Sequence, residues 1–495
     1  MIKNNKWLLL VALTVMACSE DDEVIKYDTA DGLPLTAGSA DFSKYIALGN
    51  SLTAGFSDNA LFIEGQKNSY PAILADQFAL VGGGDFTIPF MSDNTGGLLL
   101  GGNVISGPRL FFNGSGPAPV SGVPTTEVSS VLSGPFNNMG IPGAKSYHLL
   151  APGYGNVAGV ATGQSNPYFV RFASSPSTTV LADATAQNAT FFSLWIGNND
   201  ILSFATSGGS GTNQTGNLNP ATYGPNDITD PNVFGNVYTT LVEGLTANGA
   251  KGVVANLPYV TSIPFFTTVP YNPVPLNETS AAQLNAGFAA YNNGLLFAQS
   301  NGLLSAEEVA KRRIVFSASS NNAVVMTDSY LTNLTAFGIP SIRQATAEDL
   351  IVLPARTFIG TLVGGNPAQI NGVSVPLADN WVLCKNEISE IKTATDAYNA
   401  SIRAIATSKG LAFVDANAFL NQVANGGITA NNYTITSSYV TGGAFSLDGI
   451  HPSPRGYALI ANKFLEAINE KYGSNFKGVN VGKYRILYPA NPDNF

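Results

Sequence analysis

Ser51 stands in ALGNSLTAGFSDNALF (Ala47–Phe62), just after a short apolar run that ends in glycine. A serine hydroxyl becomes a nucleophile when a neutral imidazole takes its proton and a carboxylate orients that imidazole. The chain has two histidines, His148 and His451. Asp448 precedes His451 by three positions in LDGIHPS, so a single turn can bring its carboxylate to Nδ1–H. Acyl transfer also needs donors aimed at the oxyanion of the tetrahedral intermediate. Asn199, in FFSLWIGNND, offers a side-chain amide. Gly143, in NNMGIPGAKS, and Ser51 offer backbone N–H groups. Each piece alone is common: an isolated Asp-x-x-His is mostly a surface pair, and an isolated Gly-x-Ser is mostly a turn. The full set, in this order and at strand ends, is far rarer. His148, in SYHLLAPGYG, reads as a structural or groove-lining residue.

The elements that must position these residues alternate. Buried-strand patterns occur in KYIALG (44–49), FFSLWI (191–196), KGVVANLPYV (251–260) and LAFVDANAFL (411–420), with RRIVFSA (312–318) as a further strand. Helical patterns occur at 69–80, 237–250 and 280–302, then at 385–408 and 453–473. Strands alternating with helices predict an α/β domain with a parallel sheet between helical layers. In open sheets of that kind ligands bind at the carboxyl ends of the strands. The segments Gly49–Ser51, Gly197–Asp200 and Leu447–Ser453 all fall there. The Gly-, Pro-, Ser- and Asn-rich stretch 81–134 reads as an elaborated insertion with short strands such as FTIPF (86–90).

Composition narrows the function class. Of 495 residues, 45% are hydrophobic and only 12% are charged, with a net charge of −9. A chain this acidic, without a basic cluster, is not expected to bind nucleic acid through phosphates. Two cysteines and two histidines cannot build a Cys- or His-rich metal site, and no metal or cofactor is expected. The N-terminus runs from MIKNNK through the apolar WLLLVALTVM to Ala17-Cys18 and then to the acidic SEDDE. Positive charge, a short apolar segment and a small residue make a signal peptide, and the segment is too short to span a bilayer. Val15–Cys18 resembles the lipobox of bacterial lipoproteins, which implies a lipid on Cys18. SEDDE resembles the tag that sends some Gram-negative lipoproteins to the cell surface. The expected organisation is a signal peptide over 1–17, an acidic flexible tether over 18–42, and one domain over 43–480. Insertions are expected near 81–134 and 200–380, followed by a tail over 481–495.

Four segments together resemble the SGNH hydrolases of the GDSL-like esterase/lipase superfamily. GNSLTAGF matches the nucleophile block at Ser51, and GIPGA matches the oxyanion-glycine block at Gly143, with Gly140 as the alternative. IGNND matches the oxyanion-asparagine block at Asn199, and DGIHPS matches the block carrying Asp448 and His451. The resemblance implies a flavodoxin-like three-layer α/β/α fold with a parallel sheet of about five strands. It also implies carboxylic ester hydrolysis through an acyl-serine intermediate. Asn50 departs from the family, which has Asp beside the nucleophile. The implied protein is an outer-membrane lipoprotein acting on small-molecule, polysaccharide or lipid esters. Two other readings fit the same segments: an acyltransferase using the same acyl-serine, and a lipid-anchored glycan- or lipid-binding protein on a decayed esterase scaffold.

Overall fold

The computed structural model describes residues 24–491 and 494. The leader and Cys18 lie outside the described residues. Five strands form the central sheet: β1 (Tyr45–Gly49), β2 (Asn138–Gly140), β3 (Phe191–Trp195), β4 (Lys251–Ala255) and β5 (Ala412–Val414). Their order is β5-β4-β3-β1-β2 and every pairing is parallel. β1 and β3 are buried on both faces, so they read as near-continuous apolar runs rather than alternating ones, with Ser193 of β3 hydrogen-bonded to the Tyr45 hydroxyl.

Helices cover both faces. On one, α2 (Tyr70–Ala79) packs against α6 (Pro454–Tyr472), which also lies on β4 and β5. On the other, α4 (Pro231–Thr246) and α5 (Lys385–Lys409) pack together, with α3 (Asn199–Thr206) against α5. The fold is thus three-layered α/β/α. Local signals set the helix ends. Ser69 and Ser453 accept hydrogen bonds from first-turn N–H groups of α2 and α6, and each helix has proline in its first turn. A further short helix, α1 (Ser51–Ala54), follows β1 directly.

Several expected elements differ. The strand expected over 411–420 stops at Val414, because Asp415 caps a helix over Ala416–Ala424 by accepting from Ala418 N–H at 3.0 Å. RRIVFSA joins no sheet: Arg312 ends a helix over Ala306–Arg312, and no strand is formed over the residues that follow to 318. Two asparagine side chains replace the missing strand: Asn292 bonds both N–H and C=O of Ile314, and Asn285 does the same for Phe316. FTIPF is not a strand. Stretch 81–134 holds two hairpins instead, Leu98–Leu100 with Asn103–Ser106 and Leu110–Phe112 with Pro117–Pro119. The helix expected over 280–302 breaks at Phe288. The insertion expected over 200–380 contains α4 and β4, so what lies outside the layers begins after β4.

The tether expected over 18–42 is not free where it is described. Tyr27 and Phe42 are buried, and burying two aromatic rings outweighs the pull of the surrounding acidic residues toward solvent. The Tyr27 hydroxyl donates to Glu466 on α6, and the Phe42 ring stacks on Phe78 of α2 at 4.1 Å. The tail is docked as well: Tyr488 is buried edge-on against Phe62 at 4.8 Å.

Candidate active site

Parallel pairing aligns the carboxyl ends of β1, β2 and β3, with Gly49 opposite both Gly140 and Trp195. Gly140 packs there because a Cβ would lie 2.2 Å from the backbone nitrogen of Ala54, and its own N–H is held by Asn138 Oδ1. It has no donor to spare. Gly143, three residues on, has φ +80°, which favours glycine, and its N–H makes no hydrogen bond among the described residues.

Asn50 caps α1: its Oδ1 accepts the Leu52 N–H at 3.0 Å. The cap holds Ser51 in the first turn, where a backbone N–H has no partner within the helix. The Asn50 Nδ2 is buried without a partner. Aspartate in its place would make the same cap, so the exchange at this position preserves the local structure.

His451 Nε2 lies 2.9 Å from Ser51 Oγ, and His451 Nδ1 lies 2.8 Å from Asp448 Oδ2. The three residues expected from sequence therefore form one continuous hydrogen-bonded chain. Asp448 is further held by the N–H groups of Asn59, Ile450 and His451 and by the Ser446 hydroxyl. Burial alone would push its carboxyl up. The adjacent His451 charge and these hydrogen bonds outweigh it and hold the carboxyl down at about 2. Asp448 thus stays ionised across the working range and favours the Nε2-acceptor tautomer of His451. The Phe56 ring lies 4.6 Å from the imidazole.

The Asn199 Nδ2 donates to the Ala144 carbonyl at 2.9 Å, which leaves the second amide hydrogen for a ligand. The same bond ties the start of α3 to the Gly143 loop. Asp200 makes a second tie, accepting from Ser146 N–H at 2.8 Å and Oγ–H at 2.7 Å. Burial pushes the Asp200 carboxyl up, against these bonds and the nearby Lys145 ammonium. His148 makes its contacts elsewhere. Its Nδ1 accepts the Lys145 N–H and its ring stacks on Tyr154. Burial first, then Lys145, lowers it to about 4, so it is neutral.

Two further features complete the surroundings of the site. Asn198 is buried with both amide atoms unpartnered among the described residues. An apolar cavity of about 80 Å³, partly open to solvent, is lined by Leu52 and Ile450, the neighbours of Ser51 and His451. Pro258 and Ile263 of the aromatic-rich loop after β4 also line it, as do Phe419 and Val423 of the helix after β5.

No family model and no curated protein matches this chain. One solved structure that is similar is LAE5, an alpha/beta hydrolase enzyme from the metagenome of Lake Arreo, Spain. It is 11% identical over 87% of this chain and 96% of that chain, with a TM-score of 0.32, a likeness too distant to carry an argument about the site.

Proposed function

We propose that the chain is a serine esterase of the SGNH type that cleaves carboxylic esters through an acyl-serine intermediate. The observation that carries this reading is the Ser51–His451–Asp448 chain at 2.9 and 2.8 Å. Ser51 Oγ attacks the ester carbonyl while His451 Nε2 takes its proton. The N–H groups of Ser51 and Gly143 and the spare hydrogen of Asn199 stabilise the oxyanion. The imidazolium, held by Asp448, returns the proton to the leaving alcohol. Water then repeats the sequence on the acyl-enzyme.

The reading seats an apolar acyl chain in the cavity beside Leu52, whose walls offer almost no polar contact. Phe419, half-buried on its wall, sets the room available. Phe419→Ala is expected to raise kcat/KM for p-nitrophenyl octanoate about tenfold relative to acetate, the scale of a one- or two-methylene effect in an apolar pocket. An unchanged chain-length profile would remove the cavity from substrate binding.

The reading includes a lipid on Cys18 and an outer-membrane location, supported by the leader pattern in residues 1–18. Cells fed an alkynyl fatty acid should label the protein, and Cys18→Ser should abolish that label. Persistent labelling of the variant would refute attachment at Cys18.

A further inference from the structure

The turn Ser57–Ala60 grips the loop that carries Asp448 and His451 at four points. Ser57 Oγ donates to the Pro452 carbonyl at 3.1 Å, and Asp58 N–H donates to Ser446 Oγ at 3.0 Å. Asn59 N–H donates to Asp448 Oδ2 at 3.0 Å, and Asp58 Oδ1 accepts the Leu447 N–H at 2.8 Å. The turn itself is tight. Ser57 and Ala60 bond each other's backbones, and Asp58 and Asn59 have φ of 50° and 64°. Two successive left-handed residues form a type I′ turn, which Asp and Asn tolerate better than most other non-glycine residues. Ser446 links the Asp58 backbone to the Asp448 carboxylate, because its hydroxyl accepts the Asp58 N–H and donates to Asp448 Oδ1 at 3.1 Å.

Behind this turn stands Arg109, brought by the insertion over 81–134. Its guanidinium is fully buried and donates to the carbonyls of Asn94 and Pro489 at 2.8 and 2.7 Å. It lies over the Phe62 ring and near Tyr488 of the tail. The charged and titratable groups facing the Asp58 carboxyl are Asp448 on the catalytic loop and Arg109 on the insertion, with Tyr439 and Tyr488 beyond them. The insertion and the tail thus converge on the back of the Ser–His–Asp chain.

Resting on the esterase reading above, we propose that Asp58 is a positioning residue for the reaction. It locks the Asp448–His451 loop onto the nucleophile segment, its N–H on Ser446 Oγ and its carboxylate on the Leu447 N–H, and so sets a second carboxylate against the loop that carries Asp448.

Burial pushes the Asp58 carboxyl up, the Leu447 N–H opposes this, Asp448 adds to it and Arg109 reduces it, leaving it at about 7. Asp58 is therefore neutral in acid and negative above neutrality. Its negative charge favours the imidazolium that His451 becomes as Ser51 loses its proton, so turnover rises as pH passes neutrality. Stability runs the other way. A carboxyl whose folded pKa lies above its unfolded value leaves the folded protein holding more protons between those two values. Stability is then full below about 4 and falls as pH rises to about 7.

Asp58→Asn keeps an acceptor for Leu447 N–H and removes the charge. Its kcat is expected to match wild type at pH 6 and to fall on the order of tenfold below it at pH 8, with KM unchanged. Its Tm should exceed that of wild type by a margin that grows from pH 4 to pH 7 and then levels. Asp58→Ala, which also loses the acceptor, should lose kcat at both pH values. A role confined to folding predicts lower Tm for Asp58→Asn and an unshifted pH–rate profile, and that result would overturn the proposal. An inactive wild type would refute the esterase reading itself. The Tm–pH comparison would still decide on Asp58, with coincident curves for wild type and Asp58→Asn counting against it.

Discussion

Ser51→Ala is expected to lower kcat on a p-nitrophenyl ester on the order of 10⁴-fold or more, the loss seen when one member of a hydroxyl–imidazole–carboxylate unit is removed. Ser51 Oγ is the atom at the end of the hydrogen-bonded chain from Asp448 through His451, and no other hydroxyl bonds His451 Nε2 among the described residues. Alanine deletes the attacking atom and leaves the Asn50 cap and the oxyanion donors in place. The residual rate should therefore be that of a water held near preformed donors, and KM should change little. The measurement is kcat and KM with folding checked by circular dichroism. A variant within tenfold of wild type would mean that ester cleavage does not pass through Ser51.

Asn199→Ala is expected to cost roughly 10²–10³ in kcat, the magnitude of losing one oxyanion donor. Its position supports a transition-state role. One amide hydrogen is spent on the Ala144 carbonyl, which fixes the side chain next to Gly143, and the other remains available. A preorganised donor of this kind acts where charge develops, so the loss should appear in kcat. If only KM rose, Asn199 would be binding the ground state. A large drop in Tm would instead assign it to holding the Gly143 loop, a task it shares with Asp200 and Ser146.

Much of the site is legible in the sequence because its parts end short, strongly patterned elements. YIALG stops at Gly49 and hands over to an Asn-capped turn at Ser51. Asp448 and His451 share a turn, so their spacing alone brings them together. Four strands of the sheet were legible as short apolar runs, whereas β2, only Asn138–Gly140, carries no such run and was not expected. What sequence hides is pairing over distance. Asp58 bonds Leu447 across 389 positions, and no local pattern announces it. Asn285 and Asn292 imitate a strand for RRIVFSA, where apolar content alone pointed to the sheet. Residues 24–42 read as a tether because they mix Asp with Gly and Thr and hold few large apolar residues, yet Tyr27 and Phe42 decide their fate by burial. Asn50 caps α1 with a single side-chain oxygen, which an aspartate would also supply.

The central claim is that Ser51 is a nucleophile activated by His451 and Asp448. A fluorophosphonate probe followed by peptide mapping tests it most directly, since phosphonylation requires an activated hydroxyl and no knowledge of the natural ester. The account predicts one adduct, on Ser51, formed in minutes by the wild type, absent from Ser51→Ala and strongly slowed in His451→Ala. A wild-type protein that is folded and unlabelled, or labelled at another residue, would contradict it.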